Sequence, residues 1–129
     1  MESSDVIISG IGHLITLGLI LFIPLGITDF IVVDRLIRLE YRNWRQDWQE
    51  DGRPHGYFFV PPETRIFGGA LVSLRSSRAL GTVWIEWLFR TPAWMRQEQG
   101  ARWLIFLHRC LVFTLWLPFL CLIGLAFLH

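Results

Sequence analysis

The chain has 129 residues, 53% of them apolar and 15% aromatic, with a mean hydropathy of +0.43. A soluble domain of this size has too little interior to hide so much apolar surface, which leaves lipid as the alternative solvent. Twelve basic residues against 11 acids give a net charge of only +1, so the strongly basic surface that nucleic acid requires is absent. Every basic residue is Arg and Lys is missing, an inventory that fits a GC-rich bacterial genome.

Residues 6–33 form the first apolar run, with one interior acid, Asp29, and one interior histidine, His13. As a helix it is about 42 Å long, enough to cross ~30 Å of hydrocarbon with some tilt. The acidic start (Glu2, Asp5) and the lack of a small-residue cleavage site argue against a cleaved signal peptide. Pro24 removes one backbone donor inside the run and is expected to kink it.

Residues 34–109 carry most of the charge. The spacing predicts that 34–50 continues the first helix out of the membrane. Ile37, Tyr41, Trp44 and Trp48 make an apolar stripe, and Arg35, Arg38, Arg42 and Arg45 a basic one. Asp34 and Arg38 stand at i,i+4 spacing. Trp48 lies about 22 Å of helix beyond Val33, too far for a membrane-surface aromatic belt, so it is expected to pack on protein. Asp51-Gly52, with Pro54 behind it, ends the helix. The stretch 52–63 then reads as a loop or short hairpin. Its apolar tip, Tyr57-Phe58-Phe59-Val60, must pack under the helices or dip into the interface, because exposure to water is a liability.

Pro62 can start a helix to about Ala79, with Phe67, Ala70, Leu71 and Leu74 inward and Arg75 and Arg78 outward. Gly68-Gly69 weakens that helix by about 1 kcal/mol per glycine. Gly81 is expected to break the chain before a stripe of Leu80, Trp84, Trp87 and Leu88. The longest uncharged run here, Ile66 to Leu74, is nine residues, too short to span. The region therefore reads as amphipathic helices at the interface. Thr91-Pro92 has the form of a helix start, Thr as N-cap and Pro first. One helix from there is expected to pass Arg96 and Arg102 into the second span.

That second span is 110–128, with no charge and one proline, Pro118. Cys110 and Cys121 share a face of it but sit roughly 16 Å apart, too far for a mutual disulfide. All 12 Arg fall between Arg35 and Arg109, and none lies outside the two spans. The positive-inside rule therefore places 34–109 in the cytoplasm and both termini in the periplasm. The expected fold class is an all-α, multi-pass integral protein of the bacterial inner membrane, one domain with two transmembrane helices and an intervening cytoplasmic segment of amphipathic helices.

Candidate chemistry is sparse. His13 lies near the outer end of span one and His108 at the inner end of span two, so the two cannot clamp one haem between them. His13 alone remains a candidate axial ligand for haem or bacteriochlorophyll; otherwise no cofactor is expected. His55 and His129 have no clustered partners, and no metal-ligand pattern exists. Asp29 is the single acid within a span, and such residues usually face protein and have a partner. Asp29 lies at the depth of Arg109, which predicts an Asp29–Arg109 pair, assisted by His108, tying the spans together. A proton relay would need further acids along the span, and none follows. Phosphate-loop, nucleophile-elbow and zinc-protease motifs are all missing, and Ser73, Ser76 and Ser77 have no neighbouring base, so no catalytic residues are expected. Tyr41, Trp44, Trp48, Phe58, Phe59, Trp84 and Trp87 are the candidate interface residues, since seven Trp and ten Phe exceed what two helices can bury on each other.

The layout resembles universal stress protein B, a family of two-span inner-membrane proteins of proteobacteria. The resemblance lies in an N-terminal span followed by an Arg-rich helix, an Asp51-Gly52 turn leading to Gly56-Tyr57-Phe58-Phe59, and a basic-flanked final span ending in Leu128-His129. It implies a non-enzymatic membrane protein linked to stress physiology and supplies no catalytic residues. Taken with the aromatic surface, three expectations follow. The first is a non-catalytic accessory or structural subunit of a larger respiratory or photosynthetic type of complex, whose partners are lipid and other membrane subunits. The second is a freestanding stress-linked membrane protein. The third is a pigment- or haem-binding subunit.

Overall fold

A computed structural model describes residues 2–66 and 70–127, and every element in it is helical: α1 (Glu2–Asn43), α2 (Arg45–Glu50), α3 (Pro62–Ile66), α4 (Ala70–Phe89), α5 (Ala93–Gln97) and α6 (Gln99–Phe127). Helices α1 and α6 are long and apolar enough to cross a membrane, with mean hydropathies of 2.2 and 1.7 over their best windows. They pack antiparallel, because Phe22 meets Phe119 edge to face while Asp29, further along α1, meets His108, further back along α6. Both helices run through their prolines, Pro24 and Pro118, without interruption. Thr28 bonds back to the carbonyl of Pro24 at 2.7 Å.

The core sits at one end of this pair. Val32, Val33, Leu36 and Ile37 of α1 meet Leu80, Val83 and Trp87 of α4, Trp94 and Met95 of α5, and Ala101, Ile105 and Leu111 of α6, all buried. Burial of a large aromatic in such a cluster contributes about 3 kcal/mol. We call this assembly the base and the rest of α1 and α6 the arms. Trp48 belongs to the base, with its indole N–H donating to the carbonyl of Pro54 at 2.9 Å.

Four expectations need correction. Helix α1 does not reach Glu50: the backbone leaves helical geometry at Trp44 (φ −132°, ψ 53°), and α2 starts afresh. Gly81 does not break the chain, because it lies on the exposed side of α4 while Ala79, Leu80, Val83 and Trp87 hold the helix on the other. Leu74, expected inward, is exposed; Phe67 and the side chains of Ala70 and Leu71 lie outside the described residues. Thr91 does not cap a helix. Pro92 occupies that position without a side-chain hydrogen bond, and an extended Glu98 separates α5 from α6. Cys110 is free and exposed; the side chain of Cys121 is not among those described.

The end of α2 is a Schellman turn. Arg53 N–H bonds the carbonyl of Trp48 (3.0 Å) and Gly52 N–H that of Gln49 (3.2 Å). The turn needs Gly52 in the left-handed region, at φ 89°. It throws the chain back toward α1, where residues 54–61 lie.

Candidate functional site

The polar centre of the molecule is where α1, α4 and α6 meet. Asp29 and His108 are both buried there. His108 Nδ1 lies 2.6 Å from Asp29 Oδ1, and the indole N–H of Trp84 donates to Asp29 Oδ2 at 3.0 Å. The other ring nitrogen of His108 is 3.3 Å from the main-chain carbonyl of Trp84, and the Trp84 and His108 rings meet edge to face. A carbonyl can only accept, so Nε2 carries a hydrogen. Removing either partner would strand a buried polar group, which costs about 3–5 kcal/mol.

Arg109 does not take the place expected for it. Its Nε–H donates to the carbonyl of Trp87 (3.0 Å) and its Nη2 to the hydroxyl of Thr91 (2.9 Å), closing the C-terminal turn of α4. The expected Asp29–Arg109 pair is therefore replaced by Asp29–His108. Residues 108 and 109 share a depth but lie about 100° apart around α6, and only His108 faces α1. Arg109 instead satisfies a carbonyl that a helix end leaves open, where a cation is also favoured by the helix dipole.

A second buried carboxylate, Asp34, holds the loop. Its Oδ1 accepts from the backbone N–H groups of Phe58 (3.0 Å) and Phe59 (3.1 Å), and the i,i+4 partner Arg38 reaches Oδ2 at 3.5 Å. Gly56 N–H closes the turn on the carbonyl of Phe59 at 2.7 Å. A Cβ at Gly56 would overlap Asp34 Oδ1, so glycine is required there by space. Serines of α4 secure the other side: Ser76 donates to the carbonyl of Arg53, and Ser77 lies 3.0 Å from His55 Nε2.

Glu40 differs from both. It is fully buried, and neither carboxyl oxygen has a hydrogen-bond partner among the described residues; the same holds for the indole nitrogens of Trp44 and Trp94. Asp51 and Trp94 adjoin it. An anion there would cost on the order of several kcal/mol, so the fold keeps Glu40 as the neutral acid. Burial, with Glu86, Asp47 and Glu50 adding repulsion, raises the Asp51 carboxyl above its ordinary value. Glu63 is shifted the other way, chiefly by the Tyr41 hydroxyl that donates to it at 2.7 Å, with Arg45 as its ion-pair partner.

The remaining candidates are scattered. His13 is on the exposed arm, its Nδ1 2.7 Å from the carbonyl of Ser9, beside an open groove of about 570 Å³ formed with Gly12, Thr16, Leu17 and Ile20. Of the seven expected interface residues, Trp48 and Trp87 are buried inside the chain and offer no surface. Tyr41, Trp44, Phe59 and Trp84 are half-buried, and Phe58 stands out at 64% exposed. Among the described residues no group of three or more His, Cys, Asp or Glu side chains converges to hold a metal ion. Sequence reasoning gave His108 only an assisting part and Asp34 only its pair with Arg38; the direct Asp29–His108 contact and the grip of Asp34 on Phe58 and Phe59 were missed. The available signal was that an ionisable residue at a membrane depth needs a partner at the same depth. Compared with known family models, curated proteins and solved structures, the chain has no match.

Proposed function

We propose that this chain is a non-catalytic accessory or structural subunit of a larger bacterial membrane complex of respiratory or photosynthetic type, crossing the inner membrane twice with both termini periplasmic. The observation that carries the proposal is an aromatic surface on the base that the chain leaves uncovered. Trp103 and Phe106 stack on each other at the foot of α6, at 67% and 57% exposed, with exposed Arg102 beside them. Trp, Phe and Arg are the residues favoured where protein meets protein. The polar groups where α1, α4 and α6 meet, Asp29, His108 and Trp84, are committed to one another, which suits a rigid scaffold better than a catalyst. Native electrophoresis after mild detergent extraction tests this. Co-migration with a large complex, lost in Trp103→Ala/Phe106→Ala, is expected. A band at 15.1 kDa or a small homo-oligomer would remove the proposal and favour a freestanding protein.

One observation favours a second reading, a haem- or pigment-binding subunit. With Nδ1 of His13 engaged by the carbonyl of Ser9, Nε2 is the ring nitrogen left for an axial bond, and His13 lines the groove. An absorbance band in the purified protein that disappears in His13→Ala would establish it.

A further inference from the structure

We propose that residues 56–59 form a built lipid anchor, which sets Tyr57 and Phe58 into the interface of the leaflet on the side of the base. The proposal rests on the reading that α1 crosses the bilayer. An apolar loop tip exposed at a molecular surface is normally either mobile or covered by protein. This one is held from within by α1 and stays exposed within the chain. Asp34 holds the backbone N–H groups of Phe58 and Phe59, Gly56 turns back on Phe59, and Trp48 and Ser76 fix the strand leading in through the carbonyls of Pro54 and Arg53. Phe59 turns inward to meet Tyr41 and lies under the guanidinium of Arg38. Tyr57 and Phe58 turn outward, at 40% and 64% exposed.

The occupant follows from where the tip is pinned. Tyr57 stacks on Phe30 with ring centres 4.1 Å apart. Phe30 lies between Ile27 and Ile31 at the end of the exposed apolar surface of α1, and from Val32 onward the inward residues of α1 are buried in the base. The tip therefore extends the face of α1 that lipid would cover, at the level where that face stops. Arg35 and Arg38, both exposed, follow immediately and mark the height of lipid phosphates. Aromatic side chains beneath a layer of guanidinium groups are the arrangement expected of an interfacial belt. A buried carboxylate and an obligatory glycine committed to holding such a tip make sense when its position relative to the span matters.

Environment-sensitive labels test this on the full chain in vesicles of phosphatidylcholine and phosphatidylglycerol. Single cysteines replace Phe58, Leu19 and Gln46 in a Cys110→Ser/Cys121→Ser background. A label at Phe58→Cys is expected to be quenched by lipids bearing a nitroxide high on the acyl chain and shielded from aqueous iodide by about threefold relative to Gln46→Cys. Adding Gly56→Ala, which collides with Asp34, is expected to abolish that shielding. A Phe58 label that iodide reaches as readily as Gln46 overturns the anchor. So does a label shielded from both quenchers, which would mean that protein covers the tip. Leu19→Cys separates the two levels. If nitroxide lipid quenches it while Phe58 stays open to iodide, only the anchor falls; if lipid does not reach Leu19, the spanning reading falls with it.

Discussion

The two ends of α1 carry similar side chains and meet opposite surroundings. From Leu17 to Ile31 the leucines, isoleucines and phenylalanines are mostly exposed, with Ile23 at 66%, whereas Val33, Leu36 and Ile37 are buried completely. Apolarity does not distinguish the arm from the base. The supply of partners does, since α4 and α5 supply core residues to the base, whereas among the described residues the arm of α1 before Asp29 meets α6, as where Phe22 packs on Phe119. A single apolar helix thus meets protein at one end and at the other presents a bare apolar surface, which the proposed spanning would set in lipid.

That contrast gives a ranked set of expectations for unfolding in mild detergent, followed by tryptophan fluorescence. Asp29→Ala strands His108 in the base and is expected to cost about 3–5 kcal/mol. A loss below about 1 kcal/mol would show that the Asp29–His108–Trp84 junction does not hold the helices together. Trp87→Ala opens a cavity in the same region and is expected to cost about as much. Arg109→Ala leaves the carbonyl of Trp87 open at the end of α4 and is expected to cost about 1–3 kcal/mol. Ile23→Ala, on the arm, is expected to cost less than about 1 kcal/mol in detergent, and a loss as large as that of Trp87→Ala would erase the distinction between the two regions.

The base also has a pH signature. Burial raises Asp51 above its ordinary value of 3.8. Between that value and the folded one, the folded chain keeps a proton that the unfolded chain releases, so Asp51 makes stability fall as pH rises through the window. Asp51→Asn is expected to flatten that slope in a pH series of unfolding midpoints. An unchanged slope would place Asp51 in water.

How much was legible depended on whether a feature was local. Both apolar helices could be read from composition, and the Gly52 turn from Asp51-Gly52-x-Pro54, because chain stiffness and left-handed backbone are properties of the residues themselves. Trp48 packing on protein followed from its distance along the helix. Rotation and long-range contact were not legible. Depth along two antiparallel helices identified the 108–109 step, but the 100° between neighbours decided for His108 over Arg109. Gly81 looked like a break because its intrinsic cost is real, yet contacts on the opposite face of α4 outweigh it. The grip of Asp34 on Phe58 and Phe59 joins residues 24 and 25 positions apart and leaves no local pattern.

The direct test of a two-span chain with its base on one side is accessibility to a membrane-impermeant maleimide in sealed cells, with Cys110 and Cys121 replaced by Ser. Ser4→Cys and a cysteine appended after His129 are expected to label from outside, and Gln46→Cys and Gln97→Cys only after the membrane is opened. Labelling of Gln46 from the same side as Ser4, before permeabilisation, would contradict the crossing of α1.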